Sequence, residues 1–493
     1  MGERFFAKAL NTCLMAAAVL AAGCGTTVQD RARISEDFRS RLAAETADHF
    51  AANPGPLSLK DAVALARRRT LKLTRQELER ELSRVTRASA FSAFLPNAEL
   101  AYGRFRAHGD ATLSPYLRVR GGDGRYDGTA LLVTQPVFAP VAWTMFAEAQ
   151  YGTRISDLVR DRARQLLDVQ VAACFYKAAV SARMAETRRL NIATGEALTN
   201  RIGRLAAEGY AIPAERARAE ARLAGDELGY AEALDESRKA RSDLSSILTF
   251  WPLAEYAIDG DSILGVLDEP WVFVDTNGAP RSVSREELER TDVAEFVWQG
   301  LLQRKDLYAG DETVNLRKAQ VVEALAGFLP DIVLGGGASD FSAESLSVKG
   351  WTGGLAGTWA AFEGFRSVQA YRAARARSEA EFRLQEDRML AVVTSVADAW
   401  RNWKETAARV KAARKMREAA ALDHADAERR HDDGQETMDR VLDKLAVRDE
   451  AEVRAVSAEY AAALAEIALR QAVGLGLFET EEKENEEDRD DED

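Results

Sequence analysis

The chain holds 493 residues, of which 46% are hydrophobic, 29% charged and 8% aromatic, enough for roughly three domains of about 150 residues each. Its mean hydropathy of -0.28, with no second long apolar run, excludes a polytopic helical membrane protein, which needs spans of about 20 apolar residues. The balance of 66 Lys and Arg against 79 Asp and Glu gives -13 and argues against a nucleic-acid binder.

The amino terminus reads as a secretory signal over residues 1–23. Arg4 and Lys8 precede an apolar stretch from Ala9 to Leu20, and small residues follow it. Leu20-Ala21-Ala22-Gly23-Cys24 resembles a bacterial lipobox, with Leu20 one place early. That resemblance implies an acylated Cys24 as the first residue of the mature chain; an ordinary signal beside an incidental cysteine is the other reading. Gly25 after Cys24 favours, by the same analogy, sorting to the outer membrane. Residues 24–56 are read as an anchor and linker.

Leu57 opens the first patterned segment. Ser58 and Asp61 are spaced as a capping box, and an amphipathic helix runs from there to about Ala93, where Pro96 stops it. Two extended segments rich in small, aromatic and β-branched residues follow, at about 97–106 and 126–138, flanking a glycine-rich loop. Each is about the ten residues a tilted strand needs to cross a bilayer. Soluble hairpins are the other reading. From Ala142 to Glu208 no proline interrupts a helical pattern of 67 residues, about 100 Å at 1.5 Å per residue. Its apolar stripe is Ile155, Leu158, Val159, Ala163, Leu166, Val169, Ala173, Tyr176 and Val180. A helix of that kind packs along its whole length, as in a coiled coil. Gly209 breaks it, and Pro213 suits the first turn of a helix returning to about Leu248.

Residues 250–290 differ: Trp251, Pro252, Pro270, Trp271 and Pro280 lie there without long periodicity. This segment is expected to be an irregular connection packed against the middle of the helices. The pattern then repeats over 291–478. An amphipathic helix spans Asp292 to Gly327, extended segments follow at about 331–341 and 350–362, a long helix carries the stripe Leu390, Val393, Val396, Trp400 and Trp403, Gly434 breaks it, and a helix returns from Thr437 to Val473. Phe94-Leu95-Pro96 recurs as Phe328-Leu329-Pro330, Phe138 as Phe362, Val171-Ala172 as Val396-Ala397, and Gly209 as Gly434, always in the same order. Two copies of one unit, 57–249 and 291–478, account for this. Residues 479–493 carry eleven acids and two bases and read as a solvated, disordered tail.

Four strands cannot close a barrel, and membrane strands must close because unsatisfied backbone groups in lipid cost several kcal/mol each. If these strands span a membrane, the protein is therefore an oligomer. The element order, the doubled Phe-Leu-Pro, Pro136-Val137-Phe138 with its counterpart ending in Phe362, and Arg304-Lys305-Asp306-Leu307 resemble the TolC-like outer-membrane efflux protein family, over about Leu57 to Phe478. The resemblance implies a mainly α fold with a membrane β-barrel portion: a homotrimer whose 12-strand β-barrel continues into an α-helical barrel. It implies a passive exit duct of a tripartite efflux or secretion system, lipid-anchored in the bacterial outer membrane, extending into the periplasm and docking to a periplasmic adaptor and an inner-membrane transporter. No cofactor is implied beyond the covalent lipid on Cys24.

By the same resemblance, the helical tips carrying Gly209, Pro213 and Gly434 form the adaptor-docking surface. The periplasmic entrance is expected at Asp432, Asp433, Glu436, Asp439, Arg440 and Asp443. Asp443 matches the second acid of the family's Val-Asp-Val-Leu-Asp stretch, and Arg440 stands where the first would be. A charge ring selects by sign, and Arg440 and Asp443, three apart on a helix, are spaced to pair as a latch; a solvated charged face is the plainer reading. Trp351, Trp359, Tyr102 and Tyr126 are candidates for an interfacial aromatic girdle. A periplasmic coiled-coil structural lipoprotein without a pore is the competing class, and four glycine- and aromatic-rich extended segments argue against it. An enzyme is not expected: the four scattered His and the three Cys without a CxxC give no metal spacing, and no nucleophile motif or phosphate loop occurs.

Overall fold

The computed structural model describes residues 27–107, 111–114, 117–119, 124–208, 212–343, 346–359 and 362–478. The signal segment with Cys24, the tip glycine Gly209 and the acidic tail therefore lie outside the described residues. Helices dominate, and among the described residues none is long and apolar enough to cross a membrane. The chain divides into two units, one of residues 1–62 with 177–260 and one of residues 63–176 with 261–493.

In the first unit, α1 (Val28–Ala52) occupies the stretch expected to be a linker. Thr27 and Asp30 cap it reciprocally: Thr27 Oγ1 donates to the carboxylate at 2.7 Å and accepts from the Asp30 N–H at 3.1 Å. Its carboxyl end is held by aromatic packing. Phe50 stacks on Tyr256 at 4.9 Å and lies 5.1 Å from Phe250, while Thr46 Oγ1 accepts from the Trp251 N–H. Leu57 pairs in parallel with Ile258: its N–H donates to the Ala257 carbonyl and its carbonyl accepts from the Asp259 N–H, each at 2.9 Å. The proline-containing connection is thus fixed at its start by a helix that the sequence reading did not foresee.

The helix expected from Asp61 to Ala93 is two helices, α2 (Leu59–Arg69) and α3 (Leu71–Ser92), with Thr70 extended between them. Ser58 caps α2 as its spacing with Asp61 requires, donating to the carboxylate at 2.6 Å and accepting from the Asp61 N–H at 3.1 Å. The helix expected from Asp292 to Gly327 breaks the same way into two helices, preceded by a short one. In chain order these are α4 (Pro140–Ala207), α5 (Pro213–Ile247), α6 (Arg285–Arg290), α7 (Val293–Gln303) and α8 (Lys305–Ala326), with Arg304 extended between the last two. Neither break carries a Pro or Gly signal. At Arg304 the break lies against Gly474, left-handed at φ 101°, so close that a Cβ there would lie 3.0 Å from the Arg304 backbone. Pro140 and Pro213 are both first helical residues, where the missing N–H is not needed.

In the second unit, β1 (Asn97–Ala107), β4 (Gly124–Phe138), β7 (Asp331–Ala343) and β8 (Leu346–Thr358) form one antiparallel sheet in the order β1-β4-β7-β8. The glycine-rich loop contains a further small hairpin, β2 (Ala111–Ser114) with β3 (Leu117–Val119). The last strand was expected to reach 362 but ends at Thr358, which pairs with Asp331, the first residue of β7; beyond it the ladder has no partner residues. Helix α9 (Arg366–Asp432) follows, packed along α10 (Met438–Val473). The connection contains a 3-10 helix (Gly260–Asp268) and a hairpin of β5 (Trp271–Val274) and β6 (Pro280–Val283), so it is not irregular throughout. Trp271 and Phe273 of that hairpin enter a core with Phe296, Val392, Val396, Trp403, Leu469 and Val473.

The expected stripe is displaced on α4 and kept in part on α9, where Val396 and Trp403 are core residues and Trp400 packs against them. Val392, Val396 and Trp403 are buried on α9, yet Leu390 is exposed; on α4 the buried residues are Leu167, Val171, Ala172, Phe175 and Ala179, while Leu166 is 44% exposed. Alanine-rich helices carry small apolar residues on several faces, so the sequence pattern alone does not fix which face is covered.

Candidate functional site

Direct pairing places residues of the four strands on two chemically different faces. One face carries the rows Leu100–Leu131–Ala338–Trp351 and Leu334–Leu355, with Val133 beside Gly336. Trp351 is 83% exposed and Leu355 68% exposed. At the hairpin end this face closes with two ion pairs, Arg104–Asp127 at 2.6 Å and Lys349–Asp340 at 2.9 Å. The opposite face carries Ala101–Ala130–Ser339–Gly350 and Leu132–Gly337–Thr352, with Thr134 beside Gly335 and Gly354. Small and polar residues dominate it. The two faces thus alternate between large apolar and small or polar side chains along each strand.

Of the expected girdle residues, Trp351 and Tyr102 lie on the apolar face. Trp359 lies just past β8 and donates its indole N–H to the Phe328 carbonyl at 3.1 Å. Tyr126 is in β4 opposite Phe105, with its side chain outside the described atoms. Strand order leaves β1 and β8 at the two edges, each hydrogen-bonded to one neighbour within the sheet.

At the helical tip, α9 ends in a Schellman turn. The Gln435 N–H donates to the Arg430 carbonyl at 2.8 Å and the Gly434 N–H to the His431 carbonyl at 2.9 Å. Gly434 has φ 74°, a conformation that excludes most side chains. Thr437 then caps α10 through its extended backbone. His431 Nδ1 lies 3.0 Å from the Glu436 carbonyl and ties the two sides of the tip together. Asp433 and Asp443 are exposed and Glu436 is half-buried; Asp432 and Asp439 are placed by their backbone alone. Arg440 pairs with Glu436 at 3.5 Å, four residues earlier. Lys444 reaches across to Asp423 at 2.7 Å and its ammonium holds that carboxyl below the usual range. Pro213 opens α5 at the other tip.

A third group of residues was marked in the sequence only by family resemblance at Arg304–Leu307. Arg304 holds Asp306 with two bonds, 2.9 and 2.6 Å, and donates to Ser395 Oγ at 3.1 Å. Arg162 approaches Asp306 at 3.7 Å and donates to the Gln471 carbonyl, and Gln165 donates to the Gly474 carbonyl at 2.7 Å. Burial, then the charge of Arg304, pulls Arg162 down to about 10. Burial raises Asp306, but the Arg304 bonds and the Arg162 charge bring it below the ordinary value. Beside them Arg67 grips Asp168 at 3.0 and 2.7 Å and donates to the Leu477 carbonyl. Glu466, fully buried, accepts from Trp271 Nε1 and Arg285. No sequence signal singles out Arg67, Arg162 or Asp168, which look like any charged residues of an amphipathic helix.

Glu148 on α4 lies against α8. Burial first, then the neighbouring Glu323 carboxyl, pushes it up to about 7, while Gln320 donates to it at 3.2 Å. Among the described residues, no three His, Cys, Asp or Glu are placed to hold a metal ion.

Residues 298–475 match the outer membrane efflux protein family. No curated protein sequence matches the chain. Among solved structures, the Campylobacter jejuni CmeC outer membrane channel is 18% identical with a TM-score of 0.69, over 87% of this chain and 89% of that one. The open state of the Neisseria gonorrhoeae MtrE outer membrane channel is 20% identical at 0.67, over 85% and 89%. The Vibrio cholerae outer membrane protein VceC is 15% identical at 0.66, over 85% and 96%. At these identities the likeness is one of fold.

Proposed function

We infer that this chain, whose residues 298–475 match the outer membrane efflux protein family, is the exit duct of a tripartite efflux or secretion system and performs no chemistry of its own. The observation that carries this reading is the sheet: four antiparallel strands with an exposed apolar face and edges at β1 and β8. In hydrocarbon each unsatisfied edge group costs several kcal/mol, so β1 of one copy must pair with β8 of another. Three copies supply twelve strands, and the helical segments continue the barrel as an α-helical tunnel. The same element order twice along the chain supports a duplicated ancestor. A coiled-coil scaffold has no use for that exposed apolar strand face.

In this reading the duct sits in the outer membrane, anchored by lipid on Cys24, and its helices reach into the periplasm. The tips at Gly209, Pro213 and Gly434 meet a periplasmic adaptor, which joins the duct to an inner-membrane transporter. Asp432, Asp433, Glu436, Asp439 and Asp443 give the entrance a negative charge that Arg440, held by Glu436, reduces in each protomer. The expected result is a heat-modifiable trimer in outer-membrane fractions that gives stepwise conductance in planar bilayers, raised by Arg440→Ala. A carbonate-extractable monomer without conductance overturns the reading. Cys24→Ser abolishes labelling by a palmitate analogue; continued labelling places the anchor elsewhere.

A further inference from the structure

The apolar face of the sheet is shorter than the hydrocarbon it would meet. The ion pair Lys349–Asp340 bounds it above, and the strand from Trp351 to its end at Thr358 spans about 23 Å at 3.3 Å per residue. At a tilt of 35–45° that is about 18 Å of height, against an apolar band about 25 Å tall in membrane barrels.

The missing height lies where the strands enter the helices. A bulge between Pro136 and Phe138 pairs Phe138 with Ile332 and so keeps it on the apolar face. Phe138 leads into a groove of about 840 Å³ between the first turns of α4 and the last turns of α8. The membrane end of the groove is apolar: Trp143, Val322, Leu325 and Leu329 line it, each about half exposed. Its far end is polar, with Asn315 and Lys318. Lys318 is exposed, and no carboxylate among the described residues pairs with it. Eleven residues separate Lys318 from Leu329, about 16 Å along a helix. That distance covers the missing apolar height and reaches the headgroup layer, since a bilayer of about 40–45 Å has a hydrocarbon core of about 30 Å.

We propose that this groove holds one phospholipid of the periplasm-facing leaflet in each protomer, its acyl chains against Trp143, Val322 and Leu325 and its phosphate on Lys318. A second copy is not the occupant: α4 follows β4 and α8 precedes β7, the two inner strands, whereas in the proposed barrel copies pair through the edge strands β1 and β8. The proposal rests on the membrane reading of the sheet. The test uses the full-length trimer in phosphatidylglycerol vesicles doped with a diazirine-bearing phosphatidylglycerol, with the cross-linked peptides mapped after illumination. Adducts are expected on the facing turns of α4 and α8 as well as on β8. Val322→Trp, which fills the groove, removes the helical adducts and leaves those on β8. Lys318→Gln lowers them about fivefold, the attraction of one lysine for an anionic surface. Adducts confined to the strands, helical adducts indifferent to Val322→Trp, or a groove cross-linked to the labelled acyl chain of Cys24 or to another protomer would each overturn the proposal. Absence of adducts on β8 as well sinks the membrane reading itself, which separates the two failures.

Discussion

The four-stranded sheet and the Arg–Asp cluster around Arg304 dispose of their awkward groups in opposite ways. In the cluster, every charge meets a partner inside one chain: Arg67 and Asp168 have side chains only 6% and 2% exposed and bind each other through two bonds. In the sheet, edge strands and large apolar side chains such as Trp351 and Leu355 are left on the surface. The cluster is finished by the fold of the chain; in the function proposed above, the sheet awaits a bilayer and further copies. Stability measured on one chain therefore reports the cluster, whereas assembly and insertion report the sheet.

Substitutions can set the two regions against each other. The largest loss is expected for Asp168→Ala, which strands a buried guanidinium and lowers stability by about 3–5 kcal/mol, read as a fall in the denaturant midpoint with assembly competence retained in whatever folds. A loss below about 1 kcal/mol, the level of a surface pair, would show that Arg67 is not held as described. Next, Leu355→Arg on the apolar face weakens membrane insertion by about 2–4 kcal/mol near the midplane, while Thr352→Arg on the opposite face leaves insertion intact and alters single-channel conductance. Equal insertion defects from both would erase the distinction between faces. Gly474→Ala forces a side chain into a left-handed residue 3.0 Å from the Arg304 backbone, with an expected loss of about 1–3 kcal/mol read by thermal unfolding.

The smallest effect concerns pH. Glu148, raised to about 7 by burial and Glu323, keeps a proton in the folded chain that the unfolded chain releases near its ordinary value. Its contribution is therefore present at low pH and is lost as pH rises through about 7. Glu148→Gln should flatten the dependence of the unfolding temperature between pH 5 and pH 8; an unchanged slope would assign it to other groups.

Much of the scaffold was legible because its signals are local. Pro213 and Gly434 stand where a helix start and a helix end were expected, and the strands fall within a few residues of their expected positions, since proline and glycine restrict the backbone by themselves. Helix α1 was missed because its weak amphipathic pattern is offset by many charges; Phe50 against Phe250 and Tyr256, and Thr46 bonded to Trp251, show its partner once the chain is folded. The breaks at Thr70 and Arg304 were missed because nothing in either residue forbids a continuing helix. The tip was foreseen as a turn, and there Arg440 reaches Glu436, a residue of the turn before its own helix.

By itself, the order of residues settled the periods of the chain: where the backbone must be extended, where it can run as a long helix and where it has to turn. Those are preferences of one to a few neighbouring residues, and they hold in any surroundings. Which face of an alanine-rich helix is covered, which of many arginines is buried, and how β4 meets β7 across about two hundred residues were decided only by the packed chain. Those choices depend on desolvation and close contact between distant segments, quantities that no local pattern contains.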